Sequence, residues 1–147
     1  MATRYEIVNP SDWMLQIVEL MVMNWEETGF DWEFKPSLAM YQKLWDLGIM
    51  FAVAAIEDDQ VIGYVTVSVY PHLFNPDLKF ASQDAMFVHP DHRKGLVSGR
   101  LIKLAEQEAE DRGAHKFIWH TRAGTPFAGM LKKRGYEEAD ICVMRDL

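Results

Sequence analysis

"DAMFVHPDHRKGLVSGRLIKLAEQEAEDRGAHKFIWHT", residues 84–121, is the stretch on which the reading of the whole chain turns. Its opening residues complete a strand, "ASQDAMFV" from Ala81, which Pro90 stops because proline has no N–H to give a ladder. A charged turn follows. From Val97 to Asp111 the pattern becomes helical, with Val97, Leu101, Leu104 and Ala105 on one face that continues at Glu108 or Ala109. Gly113 ends that helix, and "HKFIWHT" reads as the next strand. A strand, a crossing helix and a second strand predict a parallel pair. The turn is the odd part. Gly95 and Gly99 suggest a phosphate-cradling loop but sit oddly for one, and an ordinary basic turn before a helix would look much the same.

Outward from this unit, "RYEIV" at residues 4–8 alternates like a short strand. "NPSDW" then offers Ser11 or Asp12 as the N-cap of an amphipathic helix reaching about Thr28. A second helix is predicted from Ser37 to about Leu47, with Gly48 as its stop. "IMFAVAAIE" and "QVIGYVTVSVY" follow as a hairpin through "DDQ", and "HLFNPDLKF" reads as a loop. Near the C-terminus, "TPFAGMLKKRG" is a short helix with Pro126 in its first turn, and "YEEADICVMRDL" a final strand or hairpin pair. The order is β-α-α-β-β-β-α-β-α-β. It predicts an α/β fold with a mixed, mostly antiparallel central sheet and helices on both faces.

With 147 residues, 49% of them hydrophobic, the chain can fill one core, so residues 1–147 are expected to form a single domain. A formal charge of -7 gives no basis for sequence-independent nucleic-acid binding. "MATRYEIVNPSD" lacks the apolar region of a signal peptide, and the longest apolar run, 49–56, is too short to span a bilayer. A cytoplasmic protein without a membrane partner is therefore expected. The single cysteine, Cys142, is expected as a buried strand residue, and no histidine or cysteine pair has zinc-like spacing, so no metal site is expected.

The 84–121 stretch and "MLKKRGYEE" together make the chain resemble the GNAT superfamily of acyl-CoA-dependent N-acyltransferases. The resemblance covers nearly the whole chain and implies a GNAT-like sheet, acetyl-CoA as cosubstrate and an amine acceptor. The family's pyrophosphate loop usually reads Arg or Gln, any two residues, Gly, any one, then Gly or Ala. Arg93 fits its first position, whereas Leu96 and Ser98 occupy the two small-residue places. Deleting one residue would bring Gly95 to the first of these places but put Arg100 on an apolar helix position. The gapless register keeps Val97, Leu101 and Ile102 on apolar ones and is preferred. The resemblance then assigns the cofactor to the backbone of Arg93, Lys94, Gly95, Leu96, Val97, Ser98 and Gly99, provided that Leu96 turns its side chain into the fold. It gives the pantetheine arm and the thioester carbonyl to main-chain groups of Met86, Phe87 and Val88.

Acetyl transfer to an amine needs the neutral amine. A lysine-like amine with a pKa of about 10.4 is neutral only about once in 2,500 at pH 7, a cost of roughly 4.6 kcal/mol, so a positioned base helps. Asp84, on the strand before the loop, is the candidate base, and His120 a candidate acid or base. The family's usual acid is a tyrosine four residues before the glycine of the last motif; here that place is Leu131. Tyr136 matches the family's packing aromatic instead. The acceptor groove of similar proteins is shaped by the first two helices and their connection, which here carries Trp25, Glu26, Glu27, Asp31, Trp32, Glu33 and Phe34. Carboxylates among aromatic rings suit a cationic amine, on a small molecule or a protein. The missing tyrosine and displaced glycines also fit a rival reading, a GNAT-like binding module that acts by protein contact with weak or no catalysis. Dimers are common in the superfamily, and the apolar C-terminal strand could pair across a homodimer.

Overall fold

Two neighbouring runs of the chain are apolar at nearly every position, and they become the middle of the sheet. In the computed structural model, which describes residues 2–29 and 31–147, these are β2 (Met50–Glu57) and β3 (Gln60–His72). Both are covered on both faces, so the period-two pattern of a half-exposed strand is absent. Asp58 and Asp59 join them with φ of 51° and 60°, the left-handed pair that a two-residue type I′ hairpin needs.

β1 (Arg4–Val8) pairs antiparallel with β2, β4 (Asn75–Val88) antiparallel with β3, and β5 (Ala114–Ile118) parallel with β4. Among the described residues this gives one five-stranded sheet in the order β1-β2-β3-β4-β5. The expected mixed, mostly antiparallel sheet is what the chain forms.

Its two faces carry separate cores. α1 (Met14–Thr28) lays Ile17 and Leu20 against Val8, Ala52, Ala54, Ile56, Tyr64 and Phe87. α3 (Val97–Asp111) lays Val97, Leu101, Ala105 and Ala109 against Phe51, Val53, Val65, Val67 and Ala81. Leu101 is wholly buried, and burial of such a side chain contributes roughly 1.5–3 kcal/mol. α2 (Leu38–Asp46) starts where Ser37 Oγ accepts the Met40 N–H at 3.2 Å, and its Trp45 joins the α3-side core. α4 (Pro126–Lys133) buries Leu131.

Four expectations need correction. β4 begins at Asn75 inside the supposed loop, because backbone pairing of Lys79 with Pro71 and Phe80 with Tyr70 holds an exposed ribbon that burial patterns do not reveal. α1 is not capped by Ser11 or Asp12: the Ser11 hydroxyl is taken by Asn9 and Gln42, and Trp13 occupies the N-cap without a side-chain bond. "YEEADICVMRDL" forms no strand. The apolar alternation is there, but β5 is an edge strand paired with β4 alone, and the tail does not pair with its free edge. Ile141, Val143 and Met144 are exposed at 90%, 87% and 77%, and Cys142 is exposed rather than buried.

Candidate active site

The position of Asp84 comes from an irregularity in the sheet. Val67 pairs with Gln83 and Thr66 with Ala85, which leaves Asp84 as the extra residue of a β-bulge on β4. The bulge brings the carboxylate to Ser68 on β3, whose hydroxyl donates to Asp84 Oδ2 at 2.7 Å. Asp84 keeps one side open to water while protein crowds the rest. That desolvation raises its pKa above the ordinary carboxylate value, and the Ser68 hydrogen bond and the charge of His120 pull it partly back. Tyr41 of α2 feels the same carboxylate: burial first, then Asp84, pushes its phenol up.

Beside Asp84 the sheet opens. The parallel ladder ends at Ser82 and Ile118, and β4 runs on to Val88 with β3 on one edge and no described strand on the other. Met86, Phe87 and Val88 lie along this opening, Phe87 with its ring in the α1-side core. His120 stands at its start, with Nε2 2.9 Å from Ser82 Oγ and its backbone N–H donating to Gln83 Oε1 at 2.9 Å. Asp84 and His120, distant in sequence, thus flank one opening.

The turn after β4 resolves its charges locally. Arg93 donates to both carboxylate oxygens of Glu27, at 3.0 and 2.8 Å, and to the Val88 carbonyl at 2.8 Å, while its guanidinium covers the Phe87 ring. Its side chain therefore ties the loop to the end of α1. Lys94 and Gly95 are exposed, and a Cβ on Gly95 would meet nothing within 4 Å. Leu96 overturns the expectation that it points inward, being 79% exposed. The helical phase explains this. Val97, Leu101 and Ala105 take the core face, so Leu96, one step away, shares the outer face with Arg100 and Lys103. Ser98 and Gly99 are half-buried.

The start of α3 has no side-chain cap and no acidic residue in its first turn. Its first bond runs from the Arg100 N–H to the Leu96 carbonyl at 3.0 Å, so the amides of Val97, Ser98 and Gly99 precede the helical ladder. Unpaired amides with open space over Gly95 suit a phosphate. Among the described residues no cluster of three or more His, Cys, Asp and Glu is arranged to hold a metal ion.

The connection between α1 and α2 is partly built. Trp25 Nε1 donates to the Trp32 carbonyl at 3.0 Å, and the Trp25 ring lies 6.1 Å from Phe34. Trp32 is 75% exposed, and Glu26, Asp31 and Glu33 face solvent. Arg122 donates to the Thr28 carbonyl at 2.8 Å, so the end of α1 is fastened to the segment after β5 as well as to Arg93.

Leu131 is core, 5% exposed. Tyr136 donates to Glu106, which also accepts from Trp119, and its phenol is pushed up to about 12, by burial first and then Glu106. It is a packing residue, as its sequence position suggested. Ser68, Ser82, Gln83 and Tyr41 were missed by sequence reasoning; their relation to Asp84 and His120 depends on the bulge and on strand register, for which the sequence carries no signal.

The model of the Acetyltransferase (GNAT) family matches residues 17–136. No curated protein matches the chain by sequence. Solved structures share the fold. An aminoglycoside acetyltransferase, meta-AAC0020, from an uncultured soil metagenomic sample superposes with a TM-score of 0.79 at 16% identity, over 99% of this chain and 96% of that one. A ribosomal-protein-alanine N-acetyltransferase from Brucella melitensis biovar Abortus 2308 gives 0.75 at 18%, over 99% of each chain. A predicted acetyltransferase from Clostridium acetobutylicum, determined with acetyl-CoA, gives 0.75 at 15%, over 99% and 96%. With the family model matched over most of its length, and its sheet, opening and helix start arranged as described, this chain belongs to the GNAT family of acetyltransferases.

Proposed function

We propose that this protein, as one domain, transfers an acetyl group from acetyl-CoA to the amine of a cationic acceptor. The observation that carries this reading is the placement of Asp84, in a β-bulge at the opening between β4 and β5 and held by Ser68. Acetyl-CoA, when bound, supplies the thioester. The loop from Arg93 to Gly99, with unpaired amides at Val97, Ser98 and Gly99 and open space over Gly95 beside the outward Leu96, would hold its diphosphate, and the main chain of Met86, Phe87 and Val88 would hold the pantetheine arm and polarise the thioester carbonyl. Asp84 removes a proton from the acceptor ammonium, directly or through one water, so that the free amine can form the amide bond as the carbon–sulfur bond breaks. His120, oriented by Ser82 and Gln83, takes the second proton that the nitrogen loses as the amide forms and passes it to the thiolate. Trp25, Glu26, Asp31, Trp32 and Glu33 receive the cationic acceptor by charge and by ring faces.

Incubating cell lysate with the protein and isotopically labelled acetyl-CoA, then reading labelled amines by mass spectrometry, tests activity and names the acceptor class together. Absence of protein-dependent label, with no heat of acetyl-CoA binding at millimolar concentration, would overturn the reading. The buried Leu131, in the place of the family's tyrosine, favours a second reading, a binding module. In that case removing Asp84 and His120 together leaves biological activity intact, while disrupting the aromatic connection abolishes it.

A further inference from the structure

The last rung of the parallel ladder joins Ser82 of β4 to Ile118 of β5, and beyond it the two strands part. Ser82 therefore stands at the foot of the opening that Asp84 and His120 flank. Its hydroxyl oxygen lies 2.9 Å from His120 Nε2, a distance at which a proton can pass between them. Ser82 is 8% exposed, whereas His120 reaches solvent. The neighbouring Gln83 accepts the His120 backbone N–H at 2.9 Å, so two consecutive residues of β4 hold the histidine in place. Ser68, the register partner of Ser82 on β3, gives its hydroxyl to Asp84. Two serines on one rung thus meet two different bases. The Ser68 pair holds the carboxylate. The Ser82 pair has the make-up of an activated nucleophile, a hydroxyl within about 2.6–3.2 Å of a base that a third group assists. Asp84 is that third group: its charge and that of His120 attract one another, so an imidazolium formed at His120 stands in the field of an anion.

We propose that Ser82 is an acyl-accepting nucleophile, and that without an amine the protein hydrolyses acetyl-CoA through an acetyl ester on Ser82. The inference rests on the reading that acetyl-CoA presents its thioester at this opening, and it goes beyond that reading in needing no acceptor. The Ser82 hydroxyl proton passes to His120 Nε2 as Oγ bonds to the thioester carbonyl carbon. The carbon–sulfur bond then breaks, and the thiolate leaves with the electron pair and takes up that proton. Water, deprotonated by the same His120 nitrogen, attacks the ester and releases acetate, a proton and free Ser82. His120 thereby does for a serine what the acetyl-transfer reading has it do for an amine. Ser82, held to that nitrogen before any substrate arrives, is the nucleophile when the amine is missing.

Incubating the full chain with isotopically labelled acetyl-CoA in an amine-free buffer tests this, with free thiol followed over time and acid-quenched samples mapped by peptide mass spectrometry. The wild type is expected to release thiol and to carry labelled acetyl on Ser82. Ser82→Ala is expected to lose the label and to release thiol at least about tenfold more slowly, and His120→Ala to slow labelling by about 10²-fold or more. A serine that merely orients the ring acquires no label. Ser82→Cys keeps a nucleophile beside His120 and is expected to carry the label, which holds the test open if the alanine variant fails to fold. An unlabelled Ser82 in the wild type, or thiol release that survives in a folded Ser82→Ala, overturns the nucleophile; with acetyl-CoA still bound by calorimetry, the acetyl-transfer reading stands. Absence of acetyl-CoA binding by the wild type overturns that reading itself.

Discussion

At the scale of single residues, Asp84, the proposed base, is expected to show opposite signs in catalysis and stability. Its pKa is raised in the folded protein, so the fold binds its proton more tightly than the unfolded chain does. That contribution is fully present below the ordinary value of 3.8 and is lost as pH rises through the raised one, so at neutral pH the ionised carboxylate is a small burden. Asp84→Asn should therefore lower kcat/KM by about 10²–10⁴-fold while leaving thermal stability at pH 7 equal or slightly higher, read by initial rates and a melting curve. A marked fall in Tm would show that the carboxylate is structural. Ser68 provides a finer test. Its hydroxyl stabilises the charged form, so Ser68→Ala should move the acidic limb of the kcat/KM profile to higher pH, and Ser68→Thr should restore it. An unmoved limb would mean that another group titrates. At the cofactor loop, half-buried Ser98 leaves no room for an indole beside a bound diphosphate, and Ser98→Trp should weaken acetyl-CoA binding by calorimetry; unchanged affinity would reject the gapless register.

Among the elements, α4 explains why restoring the family's tyrosine is not a simple repair. Leu131 is packed into the core, so Leu131→Tyr adds volume and a hydroxyl where a branched aliphatic side chain fits. We expect it to cost about 1–3 kcal/mol in denaturant unfolding and to leave kcat no higher. Higher kcat would show that the helix can turn that position toward the opening. The elements legible in the sequence were those whose burial imposes a period. α3 was given its full span by Val97, Leu101 and Ala105, and β2 and β3 by continuous apolar runs. What stayed hidden depends on partners distant in the chain. The bulge at Asp84 is a mismatch between two strands, and the ribbon at 75–80 is held by backbone bonds under polar side chains. Leu96 was misread because room for a diphosphate was weighed above helical phase. The tail was misread because alternation marks a strand only where backbone pairing forms, and the outer edge of β5 has no strand on it among the described residues.

Over the whole molecule, two opposite local fields coexist under one net negative charge. Arg100, Lys103 and Arg134 gather on the outer face of the α3 start, while Glu26, Asp31 and Glu33 face solvent on the α1–α2 connection. On the proposed function an anionic cofactor and a cationic acceptor are drawn to different places, and each attraction acts through water, where about 0.1 M salt limits its reach to about 10 Å. The glutamate and aspartate side chains of the connection are open, so salt screens them readily; Asp84 is exposed too, but its hydrogen bond to Ser68 is a short-range contact that salt leaves in place. Raising ionic strength from about 0.05 to 0.5 M should therefore raise KM for both acetyl-CoA and a cationic acceptor several-fold and change kcat little. An uncharged amine acceptor tested beside it should keep its KM across the same range. Should KM for the cationic acceptor stay constant, the connection's carboxylates are merely solvated, and the acceptor is recognised by ring faces and shape instead.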